Sequence, residues 1–415
     1  MAEHLKIFNT VSEYDAVVGT ENEPSVSHVI ESNGVEFKQE IDYSQNYLTF
    51  ELLETSSIMG NTNFSYSLDN GSTWASLPST GITVDGGKKV LWKNTAAPAS
   101  YSGIGRFSGS GKFKVSGNIM SMIYGDDFKD KTSLSGKNYA FNNLFAYCDS
   151  IEDIQNIILP ATTLSSNCYR YLFSGLTKIT KAPELPATEM AEFCYCGMFQ
   201  GCTSLLETPK LYATTLKQGS YNSMFAQCNG LTKTAEMYIS SADTQSLEVM
   251  YSTCPNLVDA SNITIAYANA YIQCQSMFAR CTSLTKPPVL SASRVGDNSF
   301  TGMFGGCTSL VNAPELPATT LNSTSYCYMF SRCTSLEVAP ELPARTVPKY
   351  AYYQMFNGCS KLRYIKSLAT NISASNCLTE WVYGVASTGT FVKPSSTNYP
   401  SGDSGIPNGW TVENI

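Results

Sequence analysis

Between residues 140 and 385 the apolar positions fall at fixed offsets about a recurring methionine or leucine. With Met303 as position zero, offsets −3, 0, +1 and +4 hold Phe300, Met303, Phe304 and Cys307. The set returns as Tyr326, Met329, Phe330 and Cys333, and again as Tyr352, Met355, Phe356 and Cys359. Apolar residues at i, i+3, i+4 and i+7 form the one-sided stripe of a short helix. The pattern therefore predicts a two-turn helix in each unit. Two turns are unstable alone, so each helix must pack on its neighbours. Offsets −2, −1, +2 and +3 then fall on the opposite, solvent-facing side.

The anchors are Leu144, Leu172, Met198, Met224, Met250, Met277, Met303, Met329, Met355 and Trp381, which makes ten units. Steps are 26 residues, except 27 from Met250 to Met277 and 28 from Leu144 to Leu172. A fixed period of this size means stacked supersecondary units, hence a solenoid. In the Met198, Met277, Met303 and Met329 units the cysteine is followed by Thr-Ser-Leu and then by proline. Leu310, Leu316 and Leu321 space the apolar points there, as do Leu205, Leu211 and Leu216. This predicts a short extended segment stacking into a parallel ladder. Pro314 and Pro317 remove amide donors from it, so the strand is expected to be short or partly polyproline-like.

The flanking segments differ in pattern. In 1–40, a short helix is expected over 12–18 with Ser12 as N-cap, then a hairpin around Asn33-Gly34. In 41–116, Phe64 to Leu68 alternates before the turn residues Asp69-Asn70-Gly71. Val84 and Val90-Leu91-Trp92 flank Asp85-Gly86-Gly87. Short strands separated by turn residues predict a small β-sandwich-like neck. Trp74, Trp92 and Tyr101 are either core aromatics or a sugar platform. Residues 117–390 form the solenoid, with Asp126-Asp127 expected at a solvated cap edge. Residues 391–415, with turns at Gly402–Gly405 and Pro407–Gly409 and a last strand at Trp410–Val412, form a C-terminal cap. The expected class is α+β.

Net charge is −7 with a sequence pI of about 5.1, and no Lys/Arg cluster interleaves with aromatics. Nucleic acid is not an expected partner. No window approaches the about 18 apolar residues of a membrane-spanning helix. The first eighteen residues carry no apolar core or cleavage site of a secretory signal, so release without one is expected. Of 14 cysteines, eight occupy offset +4: Cys148, Cys202, Cys228, Cys254, Cys281, Cys307, Cys333 and Cys359. Leu176 and Val385 take the same slot in other copies. A slot shared by Cys, Leu and Val is apolar, which reads as a buried thiol column. Disulfides fit a reducing cytosol less well, and zinc would want paired cysteine knuckles that the spacing does not supply. Both histidines, His4 and His28, lie outside the repeats. No nucleophile–base pair, phosphate loop, metal site or cofactor site is legible, so an enzyme is not expected.

Function is then expected on the varied face of the repeats. The candidate contact residues are Arg170, Tyr171, Asn222, Glu248, Gln275, Arg280, Tyr328, Arg332, Tyr353 and Gln354. Buried positions repeat from copy to copy while these do not, as in a binding surface on a constant scaffold.

The stretch MFxGCTSLxxAPELPATTL, seen at Met303 and in the variant form MFSRCTSLEVAPELPARTV at Met329, resembles the BspA-like leucine-rich repeats of bacterial surface proteins, in a form common in gut Bacteroidales and their phages. The C-terminal GVASTGTFVK and GIPNGWTV are similar to segments of the same proteins. The set FNTVSEYDA, PSVSHVIE and GVEF in 1–40 resembles a leader shared by structural proteins of crAss-like phages. These resemblances imply adhesion: a virion fibre or decoration protein, made in the host cytoplasm, docked to other virion proteins through 1–40. Its repeats are expected to bind a host-surface glycan or protein, and it is expected to form a homo-oligomer such as a trimer. The alternatives are a bacterial cell-surface adhesin and a purely structural virion component.

Overall fold

The structure is a computed structural model that describes residues 42–266 and 273–415. The expected arm, with its helix at 12–18, the Asn33-Gly34 hairpin and both histidines, lies outside the described residues. Among the described residues the fold is mostly strand and turn.

The N-terminal part holds strands β1 (Leu48–Leu52), β2 (Ser56–Met59), β3 (Ser65–Ser67), β4 (Ala75–Ser76), β5 (Ile82–Val84), β6 (Lys89–Lys93), β7 (Ser108–Ser110) and β8 (Phe113–Asn118). β9 (Ile151–Ile158) follows in the first repeat. One sheet runs β4-β3-β6-β1-β8-β9 and the other β5-β2-β7. Alternation along β1 sends Leu48, Phe50 and Leu52 into the core, with Phe50 opposite Val90 on one side and Val115 on the other. Trp92 is fully buried, whereas Trp74 lies beside Tyr47 under the Lys93 ammonium and Tyr101 lies exposed against Tyr139. The three aromatics therefore form no common platform. Asp126 accepts hydrogen bonds from Lys93 and the Tyr47 hydroxyl at 2.8 and 2.6 Å. Those bonds, Lys93 first, hold its carboxyl below the usual range.

The division at 116/117 falls inside β8. This strand pairs in parallel with β9, Gly117 opposite Ile157. The Phe107 ring stacks on Phe145 at 5.7 Å. The sheet region and the repeats thus share one hydrophobic cluster, and the sheet region covers the first coil of the solenoid.

The two-turn helices predicted for each repeat are not formed, which corrects the α+β expectation. The one α-helix among the described residues is Ser121–Tyr124, followed by a short 3-10 turn at Gly125–Asp127. Each repeat instead holds a run of consecutive tight turns. In the Met303 unit the amides of Thr301, Met303, Gly305 and Cys307 bond to carbonyls three residues back, at 3.0–3.2 Å. The alternate amides of Phe300, Gly302, Phe304 and Gly306 bond to Ser325, Cys327, Met329 and Ser331 of the next coil, at 2.8–3.1 Å. Every fourth residue is left-handed to make this possible: Asn298, Gly302 and Gly306 have φ of 57°, 60° and 79°. An α-helix tolerates no such residues. The offsets −3, 0, +1 and +4 are still buried, with Phe300, Met303, Phe304 and Cys307 all at 0–1 % exposure, and the small residue at −4, such as Ser299 or Ser325, is buried beside them. Turns of about four residues bury the same stripe as a helix does, so the stripe alone does not tell them apart.

Stacking the coils aligns the rings. At offset +1 a continuous column runs Phe145, Phe173, Phe199, Phe225, Tyr251, Phe278, Phe304, Phe330 and Phe356, with centroids 5.3–5.9 Å apart. Each offset-stacked pair contributes about 0.5–1.5 kcal/mol beyond its buried area. A second column at −3 includes Tyr169, Tyr195 and Tyr221, then Phe300, Tyr326 and Tyr352. Trp381 terminates it, stacked on Tyr352 at 6.0 Å, and its indole N–H donates to the Gly405 carbonyl at 2.8 Å. Tyr399 covers its other face.

The proline run behaves as its chemistry requires. Strands β11 (Met237–Ile239), β13 (Ile263–Ile265) and β14 (Val289–Leu290) join in parallel; β11 and β13 contain no proline, and β14 begins just after Pro287-Pro288. Copies with prolines at both offsets +11 and +14, such as 314 and 317, form no strand at that point. Two-residue ladders at the following corner join β10 (Thr215–Leu216) to β12 (Ser241–Ala242), and β15 (Arg294–Val295) to β16 (Thr320–Leu321). At offset +9 the charges alternate in consecutive coils as Lys181, Glu207, Lys233, Asp259 and Lys286. Isolated parallel bridges join Lys181 to Glu207, and Asp259 to both of its neighbours. Slipping one part of the stack by one coil would set Lys against Lys. The solenoid ends in β17 (Tyr364–Lys366), β18 (Thr390–Lys393) and β19 (Thr411–Asn414), a parallel sheet closed by the last strand.

The ring column carries a direct prediction. Phe304→Ala, which empties one rung, should cost about 3–5 kcal/mol in urea unfolding. A cost below about 1 kcal/mol would show that the column is not a close-packed core.

Candidate binding face

The face that carries the candidate residues is the outer side of the turn stack. It is built by the residues at −2 and by the left-handed residues at −1 and +3, while −3, 0, +1 and +4 point in. Arg170, Tyr171, Asn222, Glu248, Gln275, Tyr353 and Gln354 are half-buried, and Arg280, Tyr328 and Arg332 are exposed. All ten lie on this side, but the structure divides them into three groups.

Arg170 donates to the Asn167 side chain at 3.2 Å and lies over the rings of Tyr171 and Phe193. Asn222 donates to Glu248 at 3.2 Å, one coil apart. Burial raises the Glu248 carboxyl, opposed by hydrogen bonds from Gln245 and Asn222. The third group holds Gln275, Arg280, Tyr328, Arg332 and Gln354, which line one groove of about 670 Å³. Tyr353 stands beside it, edge-on to Tyr328 at 5.3 Å. Burial, then the Tyr353 hydroxyl, pushes Tyr328 up to about 12, so its phenol is neutral at physiological pH.

Side chains on this face are not independent of one another. A Cβ built on Gly197 would lie 2.1 Å from the Tyr171 ring of the preceding coil. A large residue in a left-handed slot leans over the same slot of the next coil, and glycine there gives it room. The variation of these slots from copy to copy does not by itself reveal that coupling. The available signal was glycine itself, which recurs at offsets −1 and +3 where a helix would disfavour it.

The thiols play a different part. All 14 cysteines are free and buried. In the +4 column, the thiols of Cys202, Cys228, Cys254, Cys281, Cys307, Cys333 and Cys359 donate to the offset +1 carbonyl of the preceding coil, at 3.0–3.2 Å. Cys148 heads the column in the first repeat. The slot therefore accepts Leu or Val by size, and Cys adds a weak donor for a buried carbonyl. Burial pushes the Cys202, Cys254 and Cys333 thiols up to about 12, which removes the thiolate on which nucleophilic chemistry depends. Among the described residues no group of three His, Cys, Asp or Glu is placed to hold a metal.

No family model matches the chain, and no curated protein matches it. Among solved structures it is similar to a leucine-rich repeat protein from Bacteroides ovatus, at 15% identity and a TM-score of 0.23, over 72% of this chain and 92% of that one. The geometry above rests on this chain's own contacts.

Two predictions follow from this geometry. Gly197→Ala should destabilise the fold, and adding Tyr171→Ala should recover part of the loss, with a coupling above about 0.5 kcal/mol in a double-mutant cycle. Additive effects would show that ring and glycine do not share one space. A thiol reagent at pH 8 should leave the folded protein essentially unlabelled, and unfolding in guanidinium should release all 14 cysteines. Rapid labelling of several thiols in the folded protein would contradict the buried column.

Proposed function

We propose that this chain is a non-enzymatic binding protein of a phage virion, a fibre or decoration protein whose repeat solenoid attaches to the host cell surface. The observation that carries this reading is the turn-stack face itself. Constant buried positions hold a rigid support, and the outward slots on that support differ from coil to coil. Aromatic and arginine side chains, which dominate binding hot spots, recur there as Tyr171, Tyr328, Tyr353, Arg170, Arg280 and Arg332. The resemblance of residues 1–40 to a leader of phage structural proteins supports a docking role for that segment. The ligand is a host-surface glycan, and attachment works by avidity: contacts that are weak singly become strong when many copies on one particle engage together.

The test is binding of the full-length protein, and of a version lacking 1–40, to intact gut Bacteroidales cells and to isolated capsule. Both versions should bind to saturation. Failure of both on every host tried would overturn host attachment by the solenoid. Loss only on deleting 1–40 would move the binding site to that segment.

A further inference from the structure

Resting on the proposal that this face binds a surface glycan, we infer that the groove over the Met303 coil is a site for an acidic saccharide, one that carries carboxylate or sulfate groups. The groove exists because three outward positions of that coil, Gly302, Gly305 and Gly306, have no side chain. The neighbouring coils wall it with Arg280 on one side and with Tyr328 and Arg332 on the other.

Both guanidiniums are available to a ligand. Among the described residues neither Arg280 nor Arg332 has an ion-pair or side-chain hydrogen-bond partner, unlike Arg363, which is bridged to Glu337, and Lys366, bridged to Glu341. Among the described residues no carboxylate lines the groove. Glu380, one coil on from the lining residue Gln354, is engaged by the Gln354 amide at 2.8 Å. The arginines are also pre-positioned. Each occupies offset +3, and each stem passes over the glycine of the next coil, the site of a Cβ on Gly306 lying 3.6 Å from Arg280 Cγ and on Gly358 3.4 Å from Arg332 Cγ. A stem already laid down loses less freedom when its head binds.

The spacing selects the ligand. Arg280 and Arg332 are two coils apart, and each coil step is 5.5–5.8 Å along the ring column. Two planar guanidiniums carried two coils apart suit two acidic groups on separate residues of one saccharide chain, each accepting paired N–H bonds. Between them the floor is glycine backbone whose amides are already bonded to Gly302 and to the next coil, so it presents a flat surface rather than competing donors. Tyr328, neutral and 39% exposed, offers an aromatic face at the groove edge against which a sugar ring can lie. A nucleic acid would meet the same two cations, so a phosphate backbone is one of the probes in the test below.

The test uses the full chain and its Arg280→Gln/Arg332→Gln double variant in calorimetric titrations. The probes are oligogalacturonate, chondroitin sulfate oligosaccharides, neutral malto-oligosaccharides of matched length, and oligothymidylate. The wild-type protein should bind at least one acidic saccharide, weaken with added salt, and ignore the neutral series. The double variant should lose at least about tenfold in affinity, the equivalent of one charged hydrogen bond, at unchanged melting temperature. Tyr328→Ala should weaken the same ligand. No saturable binding of either acidic series up to about 1 mM, or binding that the double variant retains, overturns the inference. Preference for oligothymidylate over both saccharides overturns it in favour of a phosphate backbone. Capsule or cell binding that is unchanged in the double variant leaves surface attachment standing and removes this groove from it. Saccharide binding without cell binding does the reverse.

Discussion

Everything in this molecule depends on where the alternate amides of the turn stack go. In each repeat every second N–H closes a turn within its own coil, and the ones between reach the next coil. That division needs a left-handed residue every fourth position, and residues such as Val249 and Thr253 adopt it at φ of 59° although they are β-branched. Such residues resist that conformation. The inter-coil bonds and the ring columns that form on stacking offset the strain, and neither exists in an isolated unit. A single repeat therefore has no stable fold, and stability is a property of the stack and its two covers.

The same constraint shapes the outer face. A left-handed slot points its side chain outward and over the matching slot one coil on, so large residues and glycines are distributed in relation to each other. Tyr171 over Gly197 and Arg332 over Gly358 are two forms of that relation. Where Gly302, Gly305 and Gly306 fall together in one coil, the face is interrupted, and the side chains of the coils on either side become the walls of a groove. The scaffold rule and the candidate site thus have one origin.

Much of this was legible in the amino-acid order, and the failures have physical causes. The 26-residue spacing marks the coils, and the offsets −3, 0, +1 and +4 are the buried ones. The effect of Pro314 and Pro317 on strand formation also follows from their missing amides. The helix assignment failed because hydrophobic periodicity reports which residues face inward, and a run of four-residue turns gives nearly the same answer as a 3.6-residue helix. Glycine at Gly197, Gly302 and Gly358, in what would be helix interiors, was the discriminating signal. The thiol column was readable as an apolar slot, but not the bond from Cys307 to the Phe278 carbonyl, because that carbonyl is 29 residues away in sequence. The grouping of the ten face residues was equally invisible, since it depends on which coils lie side by side.

The central claim is that consecutive coils are joined by backbone hydrogen bonds through the turn stack. It is tested most directly by through-hydrogen-bond coupling in isotope-labelled protein, read from the Phe304 amide nitrogen. The account predicts coupling to the carbonyl of Met329 in the next coil. Coupling to the carbonyl of Phe300, four residues back, would mean an α-helix in each repeat and would contradict it.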